Sequence, residues 1–443
     1  MKSLKKKIKK SFRAQTDAKK IIPGLTQLLS KRPDRFSNGV WPCYYSKAKG
    51  SFIWDLDGNQ YLDMSIGGIG ATILGYADKD VDNAVKKIIS NGVASSLNCY
   101  EEVILAKKLI NLHKWSSKVR FTRSGGEAMT AAVRIARAFN GKEKILFCGY
   151  HGWEDWYISA NLGARDKLAG HLANGLKPNG VPKKLKGMSI PFLYNDEDTF
   201  KKLMQKHGEK VAAIVMEPVR NIKPSKGFFN TIKEYKKKYN SVLIIDEISS
   251  GFRLLTGGAH LKYGIEPDIA VFSKGLGNGY PISAIIGKSS IMNAAESTFL
   301  SSTNWTERTG PTAAIAMITK HEKHNVSSHL HNLGKRVQNG WKSLAANHKI
   351  NISVSGIYPM SSFSFLEKNP LALRAYFVQE MLKKNILAGS QFYAMFSHSF
   401  KDVELYLNEV DEIFCRMRSL IDNEKIESEL VGEPAVAGFK RYN

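Results

Sequence analysis

Short, uniformly apolar runs alternate with amphipathic stretches through the middle of this chain. Runs of this length without polar residues are typical of strands that are buried on both faces of a sheet. Four such runs occur, at 145–148, 211–216, 242–245 and 269–272. The amphipathic stretches around them predict helices at 80–90, 101–112, 127–139, 197–207 and 229–239. Because parallel strands need crossover connections, this alternation predicts an α/β fold with a mostly parallel central sheet flanked by helices.

The segments on either side of this region follow different patterns. Residues 50–63 predict a hairpin, because the turn-forming Asp57-Gly58-Asn59 separates two apolar stretches. After about residue 318 the pattern favours a smaller α+β unit, with strands near 352–356 and 361–366 and helices at 370–384 and 402–420. We therefore expect four segments: a basic N-terminal tail (1–22), an N-terminal segment (23–77), a large domain (78–318) and a C-terminal small domain (319–443).

The chain is strongly basic, with a formal net charge of +25, and its first twenty residues contain nine Lys or Arg and one Asp. A basic field attracts nucleic acid, an anionic membrane or a small phosphorylated or carboxylated substrate. No nucleic-acid-binding motif accompanies the charge, so we expect no specific nucleic-acid partner and a disordered, solubilising tail. The four cysteines are scattered, and no apolar run reaches the ~20 residues that span a bilayer. These features favour a cytoplasmic protein.

Each of the four apolar runs ends at a polar or reactive side chain. The residues that follow the runs are, in chain order, Tyr150, Glu217, Asp246 and Lys274. In an open parallel sheet, ligands bind at the carboxyl ends of the strands. Four separate segments therefore bring functional groups to one edge of the predicted sheet, and this edge is the candidate site.

Each of these groups also has an ordinary structural role as an alternative. Asp246 follows four aliphatic residues, and it either pairs with a cation such as Arg253 or acts as the counter-charge of a protonated ring nitrogen. Lys274 is either a lysine that extends to solvent or a desolvated amine that forms a Schiff base. Tyr150 either packs in the core or stacks on a flat ring.

Small residues precede an amphipathic helix pattern at Ser124-Gly125-Gly126. The free backbone N–H groups of a helix N-terminus suit a phosphate, while Ser124 alone is equally suited to be a plain N-cap. A phosphate cradle, a stacking aromatic ring, a counter-charge for a nitrogen and a Schiff-base amine together describe a site for pyridoxal 5'-phosphate. No histidine spacing fits a zinc signature, and we expect no metal.

At these residues the chain resembles the class III aminotransferases, which are pyridoxal-phosphate enzymes of fold type I, and in particular their glutamate-1-semialdehyde 2,1-aminomutase branch. The resemblance extends from about residue 50 to residue 420. The motifs that carry it are Trp54-Asp-Leu-Asp-Gly, Ser124-Gly-Gly-Glu-Ala, Tyr150-His-Gly, the stretch from Leu243 to Arg253 and the stretch from Pro267 to Lys274.

The resemblance implies a large domain with a mostly parallel sheet and a smaller α+β domain built from the N- and C-terminal segments. It implies that Lys274 forms the Schiff base and moves the proton, that Asp246 pairs with the pyridinium nitrogen, and that Tyr150 stacks on the ring. The cofactor contacts that it implies are Ser124, Gly125, Gly126, Tyr150, Asn221, Asp246, Lys274 and, from the neighbouring subunit of a homodimer, Thr303.

Two departures from the aminomutase pattern bear on the substrate. Gly126 stands where the aminomutases have a threonine, which removes a hydroxyl from the phosphate site, and residues 24–32 replace a stretch with a substrate-binding arginine. We therefore expect a ping-pong aminotransferase that uses a small amino donor and a carbonyl acceptor other than glutamate semialdehyde, such as a sugar or another anionic carbonyl compound. The alternative is the aminomutase itself, which moves the amine within one molecule and gives 5-aminolevulinate.

Overall fold

The computed structural model describes residues 8–163, 178–219 and 221–436, which form two compact units. Residues Lys79–Ser327 form the large unit, and the segments before Lys79 and after Ser327 form the terminal unit. The strands are β1 Tyr45–Lys49, β2 Phe52–Asp55, β3 Gln60–Met64, β4 Lys118–Thr122, β5 Lys144–Cys148, β6 Ser189–Pro191, β7 Val211–Met216, β8 Val242–Asp246, β9 Ile269–Phe272, β10 Ser283–Gly287, β11 Ile352–Ser355, β12 Met360–Phe365, β13 Ile386–Ala388 and β14 Gln391–Tyr393.

The longer helices of the described residues include seven that begin and end close to the predicted positions and three, at 9–21, 309–323 and 326–347, that were not predicted. They are α1 Lys9–Ile21, α2 Lys79–Ile89, α3 Tyr100–Leu112, α4 Gly125–Asn140, α5 Glu197–His207, α6 Lys226–Lys238, α7 Thr309–Lys323, α8 Val326–Asn347, α9 Pro370–Lys383 and α10 Phe400–Asp422. Single helical turns lie at Gly67–Gly70, Asp155–Ile158, Ala259–Lys262 and Ser289–Met292.

The large unit is built on a seven-stranded sheet with the order β4-β10-β9-β8-β7-β5-β6. β10 is antiparallel to both of its neighbours, and the remaining neighbours are parallel to each other. The four apolar runs identified in the sequence are β5, β7, β8 and β9, and every residue of the last three is buried. The predicted mostly parallel α/β sheet is confirmed.

Three strands of this sheet are not among the apolar runs. β4 and β6 are its two edge strands, where one side of the strand has no partner in the sheet, and β4 carries two basic residues. β10 is fully buried, but Ser283 and Gly287 at its two ends leave only three apolar residues between them. Sequence patterns therefore find the centre of this sheet more readily than its edges.

Helix α4 begins two residues before the predicted start because Ser124 and Glu127 form a capping box at its N-terminus. The Ser124 hydroxyl accepts a bond from the Glu127 N–H, and the Glu127 carboxylate accepts one from the Ser124 N–H. The helix ends at Gly141, whose φ of 68° places it in the left-handed region that suits glycine. Its apolar face packs into the core that covers the strands of the sheet.

The terminal unit contains two small sheets, with the orders β1-β2-β3-β13 and β11-β12-β14. The hairpin predicted over 50–63 is formed by β2 and β3, which are antiparallel with Phe52 opposite Leu62. β13, from the C-terminal part of the chain, lies parallel to β3. Segments from both ends of the sequence therefore share one sheet in this smaller α+β unit.

The prediction of a disordered N-terminal tail is wrong for residues 9–21, which form α1. The Asp57 carboxylate in the hairpin turn accepts hydrogen bonds from the backbone N–H groups of Lys10 and Ser11, at 2.8 and 3.0 Å. Negative charge at a helix N-terminus is stabilising, and Ser11, Gln15 and Ala18 are buried along one face of the helix. Residues 1–7 lie outside the described residues. Within the described part of the chain, no helix combines the length and apolar character needed to cross a bilayer.

We expect Asp57→Ala to release α1 from the hairpin. Hydrogen bonds to a charged group contribute about 1.5–3 kcal/mol, so local opening should rise about tenfold or more. Limited trypsin digestion should then cut faster at Arg13 and Lys19, which are exposed. Asp17→Ala, which removes an exposed carboxylate of the same helix, is the control. Equal cleavage of the two variants would contradict this role of Asp57.

Candidate active site

Asp246 ends β8, and its buried carboxylate is held on both oxygens. Oδ1 accepts a hydrogen bond from the Ile248 N–H at 2.9 Å, and Oδ2 lies 2.8 Å from His151 Nδ1. The alternative partner Arg253 instead donates from Nε to the Ser249 carbonyl oxygen at 3.0 Å. Asp246 is therefore held in place by the loop after β8 and by a histidine from the loop after β5.

The contact of the second His151 ring nitrogen indicates how protons are shared between His151 and Asp246. His151 Nε2 is 3.0 Å from the Cys148 carbonyl oxygen, which only accepts hydrogen bonds, so Nε2 carries a proton. The short distance between Nδ1 and Oδ2 then requires a second proton between His151 and Asp246. Sequence reasoning assigned no role to His151, although its place directly after Tyr150 was the available signal.

We expect His151→Gln to weaken cofactor binding about tenfold or more while the protein stays folded. The variant removes a charge-assisted bond from Asp246, and such bonds contribute about 1.5–3 kcal/mol. Absorbance titration of the apoprotein with pyridoxal phosphate measures the affinity. His348→Gln is a matched control, because His348 lies 2.6 Å from Asp411 in a more exposed pair of the terminal unit. Equal affinities in both variants would exclude a positioning role for His151.

Lys274 follows β9 after Ser273 and starts the short 3-10 helix Lys274–Gly277. Its φ of 46° lies in the left-handed region, which is unfavourable for a residue with a side chain, and backbone strain of this kind is found at functional sites. The ammonium Nζ donates to the Ser249 hydroxyl at 2.7 Å. The loop after β8 therefore holds both Asp246 and Lys274.

The N-terminus of α4 meets the same loop. A Cβ atom on Gly125 would lie 2.8 Å from Ile248 Cδ1, so the start of α4 lies directly against this loop. Ser124 and Glu127 cap each other, which leaves the N–H groups of Gly125 and Gly126 without an acceptor among the described residues. Both glycines are partly exposed. Two accessible backbone donors at the positive end of a long helix fit a phosphate group.

The aromatic residue expected to stack on a ring lies in the loop after β5. Tyr150 is partly buried, and its ring lies 5.8 Å from that of Tyr157 at an interplanar angle of 82°. The Tyr157 hydroxyl donates to the Gly149 carbonyl oxygen at 3.1 Å, which braces this loop. Asn221 and Thr303 are both exposed.

These contacts place an amine, a carboxylate and two free backbone donors around one loop, 246–249, and the aromatic ring of Tyr150 comes directly before His151, which contacts that loop. This set fits pyridoxal phosphate, which needs an amine for its aldehyde, an acid for its ring nitrogen and donors for its phosphate. Sequence reasoning missed Ser249, which lies three residues after Asp246 and was one of several unremarkable serines.

Comparison with known proteins supports the same conclusion. The family model described as aminotransferase class-III matches residues 36–395. The chain is 32% identical to a glutamate-1-semialdehyde 2,1-aminomutase from Persephonella marina over 406 residues, covering 86% of this chain and 93% of the relative. It is 31% identical to a 2'-deamino-2'-hydroxyneamine transaminase from Streptomyces kanamyceticus over 335 residues, covering 75% of this chain and 80% of the relative.

A solved structure shares the fold over almost the whole chain. The FumI protein from Sphingopyxis sp. MTA144, determined with pyridoxal phosphate, superposes with a TM-score of 0.85 at 21% identity and covers 96% of this chain and 99% of its own. The resemblance seen in the motifs is therefore confirmed at the level of family and fold type. This chain belongs to the class III aminotransferases, and it is an enzyme of amino transfer that depends on pyridoxal 5'-phosphate.

Proposed function

We propose that Lys274, Asp246 and Tyr150 are the catalytic residues of this aminotransferase, and that it works by a ping-pong reaction between an amino donor and a carbonyl acceptor. The observation that carries the proposal is the loop 246–249, which contacts Lys274 through Ser249 and the α4 N-terminus through Ile248. Together with the contact of His151 on Asp246, these contacts join residues that follow four strands, β4, β5, β8 and β9, in one small region.

When bound, pyridoxal phosphate supplies an electron sink that stabilises negative charge on the reacting carbon of the substrate. Lys274 Nζ binds the cofactor's aldehyde and carries a proton to and from that carbon, and the Ser249 hydroxyl orients it. Asp246 faces the ring nitrogen and keeps it protonated, while His151 fixes the carboxylate. Tyr150 packs on the ring and limits its motion.

The remaining cofactor contacts are proposed on the resemblance together with the geometry. Ser124, Gly125 and Gly126 face the phosphate at the start of α4, and the two glycines contribute their free N–H groups. Asn221 contacts the ring hydroxyl. Thr303, in the exposed 3-10 helix Thr303–Thr306, reaches the phosphate of the neighbouring subunit.

We propose that the protein is a homodimer with shared active sites and that it is cytoplasmic. Large apolar side chains are exposed along one stretch of the large unit, at Ile89, Val93, Leu97, Tyr100, Val103 and Ile104. Exposed apolar surface of this extent is typical of a subunit interface. Sedimentation at micromolar concentration tests the dimer, and a monomer would contradict it. The four cysteines are free thiols, which supports a reducing compartment.

The acceptor that we propose is a carbonyl compound other than glutamate semialdehyde, such as a sugar or another anionic carbonyl compound. The replacement of threonine by Gly126 and the relative named as a 2'-deamino-2'-hydroxyneamine transaminase support this choice. The second candidate is the aminomutase reaction, which the relative from Persephonella marina supports.

The first experiment records the visible spectrum of the holoenzyme before and after addition of glutamate or alanine, with borohydride trapping and peptide mapping. A chromophore trapped on Lys274 and bleached by the donor is expected. Absence of any chromophore after addition of pyridoxal phosphate would overturn the proposed site. Formation of 5-aminolevulinate from glutamate 1-semialdehyde alone would replace the transaminase proposal with the aminomutase.

A further inference from the structure

A carboxylate occupies the space that the glycine at position 126 leaves open. A Cβ atom on Gly126 would overlap Oε1 of Glu154, and one on Gly152 would overlap Oε2. Both glycines therefore make room for the same side chain. Gly126 is also one of the two residues whose free N–H groups form the proposed phosphate site, so Glu154 stands directly beside that site.

The Glu154 side chain points toward the two glycines and does not cap the helix that follows it. Glu154 is the N-cap residue of the short helix Asp155–Ile158, and its backbone carbonyl accepts bonds from Tyr157 and Ile158. Its side chain makes no capping bond to that helix. Instead Oε2 accepts a hydrogen bond from the Trp153 N–H at 3.1 Å, which fixes the carboxylate against Gly152 and Gly126.

The ionisable neighbours of Glu154 in the described part of the chain include other carboxylates. Burial is the largest influence and raises the pKa of Glu154 overall, although bonds from the backbone N–H groups of Glu154 and Trp153 lower it, and the field of Glu127 on α4 also raises it. Asp155, next to it on its own loop, is also acidic and is exposed. Arg123, before α4, is directed to Glu307 at 3.4 Å. Among the residues that the structure describes, no cation lies within ion-pair distance of Glu154.

We propose that Glu154 is a cofactor-binding residue that takes up one proton from solvent when the cofactor's phosphate binds, and then donates a hydrogen bond to a phosphate oxygen. A carboxylate and a phosphate in contact repel each other, and protonation of one converts the repulsion into a hydrogen bond. Glu154 would then supply the O–H donor that the threonine of the Ser-Gly-Thr pattern supplies in the aminomutases. This inference rests on the proposed phosphate site at Gly125 and Gly126.

The experiment measures proton uptake on binding without any chemistry at Lys274. The probe is pyridoxine 5'-phosphate, which carries the same phosphate but has an alcohol in place of the aldehyde and forms no bond to an amine. Calorimetric titration of the apoprotein near pH 8, in buffers with different heats of ionisation, gives the number of protons bound. We expect about one more proton for the wild-type protein than for Glu154→Gln.

The affinity for the same probe should show the same linkage. If the wild-type protein takes up one more proton than Glu154→Gln, its dissociation constant should rise about tenfold more for each unit of increasing pH. Glu209→Gln, a change of an exposed glutamate in the large unit, should behave as the wild type. Equal proton uptake and equal pH slopes in the wild type and Glu154→Gln would overturn the proposal.

A second variant changes Gly126, the residue that leaves room for the Glu154 carboxylate. Gly126→Thr should displace the Glu154 carboxylate, because a Cβ atom there overlaps it, and it should restore a hydroxyl donor. We expect this variant to bind the probe without the additional proton. Retention of the wild-type proton uptake in Gly126→Thr would contradict the proposal. Trapping of a chromophore on Lys274 together with unchanged proton uptake would reject the role of Glu154 alone and leave the proposed function intact.

Discussion

Replacement of Lys274 with alanine should abolish amino transfer, with a loss of more than about 10³-fold in turnover. The variant removes both the amine that binds the cofactor's aldehyde and the group that carries the proton at the reacting carbon. The left-handed backbone at Lys274 is kept by a strand on one side and a 3-10 helix on the other, so the change should affect chemistry more than folding.

Single-turnover assays with a donor amino acid measure this loss, and thermal unfolding checks the fold. Lys262→Ala, which changes an exposed lysine of the same unit, should retain the wild-type rate. Small amines added to Lys274→Ala should restore part of the rate, because they can carry the proton that the side chain no longer carries. Wild-type turnover in Lys274→Ala would refute the proposed site.

Asp246→Asn should leave the cofactor bound and slow the proton-transfer step by about 10²- to 10³-fold. Asparagine has the same shape and still accepts from the Ile248 N–H, but it has no charge to balance a protonated ring nitrogen. Rapid measurement of donor-dependent bleaching gives the rate, and borohydride trapping on Lys274 shows that the cofactor is still in place. A wild-type rate would mean that the ring nitrogen pairs with another group.

The neighbouring acid provides a contrast for Asp246. Glu247 is also buried and lies 2.7 Å from His260 Nδ1, whose other nitrogen accepts a bond from Trp115. Burial opposes ionisation, but bonds from His260 and Ser250 hold the pKa of Glu247 below its usual value. The ionised Glu247 therefore stabilises the folded protein at pH values above the ordinary pKa of glutamate, and this stabilisation is lost as the pH falls. Glu247→Gln should lower the free energy of unfolding and leave the bleaching rate per folded molecule nearly unchanged.

Residue patterns were sufficient for four strands of the large unit, β5, β7, β8 and β9. The apolar runs of β7, β8 and β9 are buried on both faces, and a run without polar residues is how the sequence indicates such burial. The same argument placed Asp246 and Lys274 at one edge, because parallel strands present their carboxyl ends together. The identity of the cofactor followed from the chemistry of those strand ends.

The partners of these residues were not predictable in the same way. His151 and Asp246 are 95 positions apart, and Ser249 and Lys274 are 25 apart, so no local pattern links them. The N-terminal segment shows the same limit, because its polar composition suggested disorder while Asp57, more than forty residues away, holds α1 by its backbone. A hydrogen bond depends on where two groups lie in the folded structure, and the composition of a segment does not predict that position.

The sequence by itself determined the α/β class, the central strands, the cofactor and the side chains that lie at the strand ends. Those properties depend on hydrophobic periodicity and on functional groups that stand next to their strands in the chain. The tertiary structure decided which groups hold Asp246 and Lys274 in place and which side chain fills the space beside Gly126. Glu154 comes to that space from another loop, and only the folded backbone brings the two within contact.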